Sequence, residues 1–176
     1  MRTYFGVLGL LMATSVIAQG ALGTAALAQD GVPVDFSGVY FCKMTASGGL
    51  FLNETNKQWE PTSFRTDHKA YTVKITKTDV VYRMPYVGAI PTYNVNVKEF
   101  SNKQEENDCW NEGIDGVPST NIPIDGYGAA ICNSFATNYK LNLISLKIQV
   151  YFQGGYMFDE NDDTPYVSVG KCDKIG

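Results

Sequence analysis

The chain has 176 residues, 44% of them hydrophobic and 18% charged, with 14 Lys+Arg against 18 Asp+Glu, one histidine and a formal net charge of −4. An acidic balance with no clustered Lys/Arg argues against binding to nucleic acid or to anionic membrane surfaces, both of which need basic patches. The length suits one ordinary domain with a core of its own.

Residues 1–29 read as a secretory signal peptide. Arg2 supplies the positive n-region, Phe5 to Met12 begin the apolar core, and Ala26-Leu27-Ala28 forms an A-x-A-like cleavage site. Thr14, Ser15 and Gln19 keep the apolar run below the ~18 unbroken residues of a membrane span, so no membrane anchor is expected after cleavage. No cysteine follows the cleavage site to carry a lipid. Cleavage removes Arg2, leaving 13 basic against 18 acidic residues and a net charge of −5 on residues 30–176. These residues are expected to form a single periplasmic or secreted β domain.

The mature chain opens with a strand-like run from Val39 to Met44 centred on Cys42. Ser47-Gly48-Gly49 is a turn signal, followed by Leu50-Phe51-Leu52 and a polar tip from Asn53 to Lys57. Trp59 then re-enters the sheet, where Leu50, Leu52 and Phe64 offer apolar surface, so it is expected to lie against the core. Tyr71, Val73 and Ile75 alternate with Thr72, Lys74 and Thr76, the period-2 pattern of a half-buried strand. Val80 to Tyr82 form a further run ended by Pro85, Gly88 and Pro91, before Tyr93, Val95 and Val97 alternate in the next strand. Ser101 to Pro123 read as a long polar loop without apolar period, a length that is usually functional or tethered.

Tyr127 to Phe135 are a mixed apolar run carrying Cys132. From Tyr139 to Tyr156 the alternation slips by one residue near Ser145, which predicts two strands joined by a turn or bulge. A helix competes there, since Leu143, Leu146, Lys147 and Val150 would share a face; Gly154-Gly155 and the β-branched content favour strands. Asp159 to Asp163 read as an acidic hairpin tip, and Pro165 to Lys171 as the closing strand. The expected fold is all-β: one small antiparallel β-barrel of calycin or lipocalin type, or a sandwich.

Four cysteines, Cys42, Cys109, Cys132 and Cys172, remain after cleavage, and in an exported chain an even count reads as disulfides. First and last strands adjoin in a closed β domain, which favours Cys42–Cys172 and leaves Cys109–Cys132 to tie down the long loop. A metal reading fails on spacing, because no C-x-x-C pair exists and His68 is the only histidine.

His68 is also the only imidazole available for nucleophilic catalysis, and it sits in the polar segment Arg65 to Lys69 with no nucleophile elbow nearby. The carboxylates cannot be paired along the chain, so no catalytic residue is assigned and no enzyme or cofactor is expected. Asp159-x-Asn161-x-Asp163 matches the start of a calcium loop. Thr164 then stands where the loop needs glycine and Gly170 where it needs glutamate, so these remain weak metal candidates. Asn53-Glu54-Thr55 is a formal glycosylation sequon, discounted for a chain with a bacterial type of leader. With 11 Tyr, 9 Phe and 2 Trp, the aromatics suit either a lined cavity or ordinary cross-strand packing.

Tyr40-x-Cys42, Ser47-Gly48-Gly49-Leu50, Trp59-Glu60-x-Thr62-x-Phe64 and Thr164-Pro165-x-x-x-x-Gly170-Lys171-Cys172 together resemble a family of exported alphaproteobacterial proteins with no established activity. The resemblance covers both ends of the mature chain and is loose from Asn94 to Ile131. It implies compartment and fold and no catalytic residue. The expected function is a non-enzymatic periplasmic protein that binds a small apolar molecule or a cell-envelope component, with Trp59 and Trp110 as candidate contacts. The alternatives are a proteinaceous inhibitor of an exported hydrolase, using the loop around Trp110, or a purely structural envelope protein.

Overall fold

The computed structural model describes residues 34–84, 88–100, 106–113, 116–156 and 163–176. The proposed signal peptide lies outside them, as do Asp159 and Asn161. Among the described residues every regular element is a strand. In chain order they are β1 (Gly38–Asn53), β2 (Gln58–Ser63), β3 (Ala70–Met84), β4 (Gly88–Glu99), β5 (Asn107–Asp108) and β6 (Asn111–Glu112). After these come β7 (Pro118–Ser119), β8 (Ile122–Pro123), β9 (Ala129–Ser134), β10 (Thr137–Asn142), β11 (Lys147–Phe152) and β12 (Tyr166–Lys174). The main sheet runs β5-β4-β3-β1-β12-β11-β10-β9, with β2 added to β1 and β8 to β4; β6 and β7 form a separate hairpin. All pairings are antiparallel.

Alternation sorts the side chains. Tyr40, Cys42 and Met44 on β1, Tyr71, Val73 and Ile75 on β3, and Leu141, Ile148 and Val150 on β10 and β11 are all buried, while their neighbours face outward. Tyr71 on β3 meets Tyr139 on β10 with ring centroids 5.9 Å apart, although three other strands separate β3 from β10 in the sheet. The sheet therefore curls back on itself and the buried face is its inside. Val73, Tyr93 and Val150 are 0% exposed, so they touch no water-sized void and the middle of the curl is filled.

Two disulfides lock this shape, and all four cysteines are used. Cys42 and Cys172 are direct cross-strand partners, so the first and last long strands are neighbours as expected. Their separation of 130 residues makes the cross-link worth about 5 kcal/mol in the chain-entropy treatment. Cys109–Cys132 joins the two ends of the strand order. Beside it Trp110 N donates to Asn133 O at 2.9 Å and Asn133 N to Trp110 O at 2.7 Å. This seam is a single bridge, and the ladder does not run on across it. Paired cysteines throughout fit an oxidising compartment.

Several local expectations give way. Ser47-Gly48-Gly49 is no turn, since β1 continues through it to Asn53. Glycine is required at 49 for closeness instead, because a Cβ there would lie 2.1 Å from Pro165 O on the neighbouring chain segment. Pro91 does not end a strand either; it lies inside β4, opposite Val81. The pairing slips between Lys77 and Val81, and hydroxyls supply bonds at the irregularity. Thr92 Oγ1 donates to Val80 O at 2.7 Å and lies 2.6 Å from Thr78 Oγ1. The described part of the 101–123 loop holds four two-residue strands, and Ile122 and Ile124 are fully buried. Trp59 is half-buried on the β1–β2 ribbon, against Tyr156 at 5.6 Å, and stands outside the core. The slip near Ser145 is a turn between β10 and β11, as predicted.

Candidate functional site

The inward faces of the strands end in two different ways. At one end the segment before β1 turns in and plugs the curl with Phe36, which is 5% exposed. Tyr40 Oη donates to Phe36 O at 2.9 Å, and Phe36 N donates to Tyr93 Oη at 3.5 Å. The Phe36 and Tyr93 rings meet edge to face at 6.4 Å. Both tyrosine hydroxyls are thus spent on the backbone of the plug.

At the other end no plug enters among the described residues. Tyr71 of β3, Glu99 of β4, Tyr139 of β10 and Tyr166 of β12 lie near this end of their strands, and β9 contributes Ser134. With Asn107 of β5 and Thr137 of β10 they surround a cavity of about 190 Å³. At roughly 30 Å³ per molecule, that is space for about six waters, below the ~300 Å³ where drug-sized pockets begin. A small molecule, or one group of a larger one, is the size that fits.

Its chemistry follows from the strand pattern. Register places Tyr71 opposite Glu99, and Val97, Lys98 and Glu99 at the end of β4 all line the cavity. Burial, then the neighbouring Tyr166, Tyr139 and Glu99, raise the Tyr71 hydroxyl well above the ordinary tyrosine value. Burial first, then Tyr166 and Glu99, push Tyr139 up to about 12. Both hydroxyls therefore stay protonated at neutral pH and can donate and accept hydrogen bonds. Glu99 has no hydrogen bond or ion pair among the described residues, where the ion pair Arg65–Asp67 is remote and exposed.

Behind the cavity Tyr166 is braced on several sides. Phe152 stacks on it at 5.8 Å, Phe64 meets it edge-on at 6.4 Å, and Lys69 Nζ lies 4.2 Å from its ring centroid. At the rim, Phe135 is 87% exposed in the β9–β10 turn with φ of 50°. A bulky residue in the left-handed region is strained by on the order of 1–3 kcal/mol, at a turn position glycine usually fills.

The residues singled out from sequence are not brought together. Trp59 sits on the β1–β2 ribbon, and Trp110, 38% exposed, marks the seam; neither lines the cavity. His68 is exposed in a shallow groove with Phe41 and Phe100. Asp163 is exposed, and no group of three or more His, Cys, Asp or Glu able to hold a metal occurs among the described residues. Glu99, Ser134 and Thr137 were missed because each is an ordinary polar residue at a strand end, and only the curl assembles them. The one available signal was Tyr71, Tyr139 and Tyr166 each opening or closing an inward-facing run.

In comparisons with protein-family models, curated proteins and solved structures, nothing matches the chain.

Proposed function

We propose that this is an exported, non-enzymatic binding domain that takes a small molecule, or the terminal group of a cell-envelope component, in the tyrosine-lined mouth. In this reading the curled sheet works as a small calycin-like barrel, closed at the Cys109–Cys132 seam and open at one end. The observation that carries it is the contrast between a filled interior and a cavity at one end lined by tyrosine, serine and threonine hydroxyls and a carboxylate. A cavity ringed by groups that both donate and accept hydrogen bonds suits a small polar ligand. The strained, exposed Phe135 at the rim offers a surface for an apolar portion of the same ligand. The compartment is taken as periplasmic from the leader-like N-terminus and the two disulfides.

Native mass spectrometry of the protein purified from its own periplasm tests this. A retained small-molecule mass in the wild type, absent from a Tyr71→Phe/Thr137→Val variant, is the expected result. A bare polypeptide mass in both would count against it.

A second reading, inhibition of an exported hydrolase, draws on the β6–β7 hairpin. Asn111 pairs with Ser119 and Glu112 with Pro118, directly beyond the exposed Trp110. In this reading the hairpin and Trp110 are the surface offered to the hydrolase.

A further inference from the structure

The main sheet leaves a long strand edge open next to the Phe36 plug. β1 covers β3 only from Ala70 to Ile75, and Ser37 Oγ accepts from Lys77 N at 3.1 Å. From Thr78 to Met84, no strand among the described residues pairs with that side of β3. We infer that this edge pairs antiparallel with the same edge of a second copy, joining two molecules about a two-fold axis through Val81.

The backbone of this edge is turned outward. Ile124 N donates to Pro91 O at 3.2 Å, so the Pro91 carbonyl faces β8 rather than β3. Its partner Val81 therefore makes no ladder bond to β4, and its N–H and C=O point to the open side; the same holds two residues on, at Arg83. Other edges are blunted, since β5 is two residues long, β2 carries Pro61 and β9 is bonded to Trp110 at the seam. Val80 and Val81, 50% and 48% exposed, add apolar surface that pairing would cover. The charges select a second copy as the occupant. Asp79 and Arg83 stand two residues to either side of Val81, both exposed and without an ion pair among the described residues. Pairing about Val81 sets Asp79 of each copy opposite Arg83 of the other, twice per dimer, and Val81 opposite Val81. An axis through Val80 instead would set Lys77 opposite Arg83, a like-charge pair that disfavours that register.

Sedimentation of residues 30–176 at low salt, from micromolar to millimolar concentration, tests this with two charge-reversed variants, Asp79→Arg and Arg83→Asp. Wild type should move towards twice the monomer mass as concentration rises, and its Val81 and Arg83 amides should then exchange more slowly with solvent. Each variant alone sets like charges against each other across the axis and should dimerise about tenfold more weakly. An equimolar mixture of the two should restore the dimer, because each then supplies the charges that the other lacks. A wild type that stays monomeric would overturn the inference, and so would variants that dimerise like wild type through another surface. Monomeric variants whose mixture also stays monomeric would refute the pairing about Val81 and the inference with it.

Discussion

The two ends of the curled sheet are built from the same material and finished differently. Each has inward tyrosines, Tyr40 and Tyr93 at one end and Tyr71, Tyr139 and Tyr166 at the other. At the plugged end the hydroxyls bind the backbone of Phe36, and a tyrosine there is a core residue with its polar tip satisfied. At the open end burial, and then the neighbouring tyrosines and Glu99, raise the pKa of Tyr71 and Tyr139 beside a cavity. Residue type alone therefore does not mark a site; what does is whether the inward tyrosines meet a plugging segment or a cavity.

The comparison breaks most visibly at the plug. Phe36→Ala empties a buried position at the closed end and should destabilise the fold by ~3–5 kcal/mol, a large share of a small domain's stability. A chemical-denaturation curve of the variant beside wild type measures it. Ligand uptake at the mouth by the folded fraction should be unchanged, because Phe36 does not border that cavity. A near-neutral substitution would mean that the closed end is not sealed by this residue.

A smaller effect should appear in alkali. Tyr139 is held protonated up to about 12 in the folded chain, and Tyr71 is raised in the same direction, above the ordinary value of ~10. The folded state thus keeps protons that the unfolded chain gives up. The stabilising contribution is complete below pH ~10 and is lost as pH rises from there through the folded value. Melting temperatures should be level below that point and fall above it. Tyr139→Phe should lessen the fall, and a melt that stays flat to pH 12 would show that the mouth tyrosines titrate freely.

Much of the architecture was legible along the chain. The alternation through Tyr71 to Ile75 and Tyr93 to Val97, and the slip near Ser145, each map onto strands with the expected inward faces. Both disulfide pairings follow from placing the first and last strands together. Glycine and proline misled where they served packing or an irregular pairing, at Gly49 and Pro91, since local signals do not say which neighbour comes close. Trp59 misled because burial averages for tryptophan ignore that β2 hangs on one side of β1 only. Ile122-x-Ile124 carried a two-residue period that marked the loop's attachment to the core. The mouth was hardly legible beyond its tyrosines, because its walls come from six strands of the main sheet and meet only when the sheet curls.

The most direct test of the central claim follows the tyrosines themselves. Protein carrying ¹³C-labelled tyrosine rings is compared with and without the small-molecule fraction extracted from its own periplasm. The rings of Tyr71, Tyr139 and Tyr166 should shift and saturate, while those of Tyr40 and Tyr93, locked on Phe36, stay where they are. Shifts confined to Tyr40 and Tyr93, or binding that leaves all three mouth tyrosines unmoved, would contradict the assignment of the open end as the site.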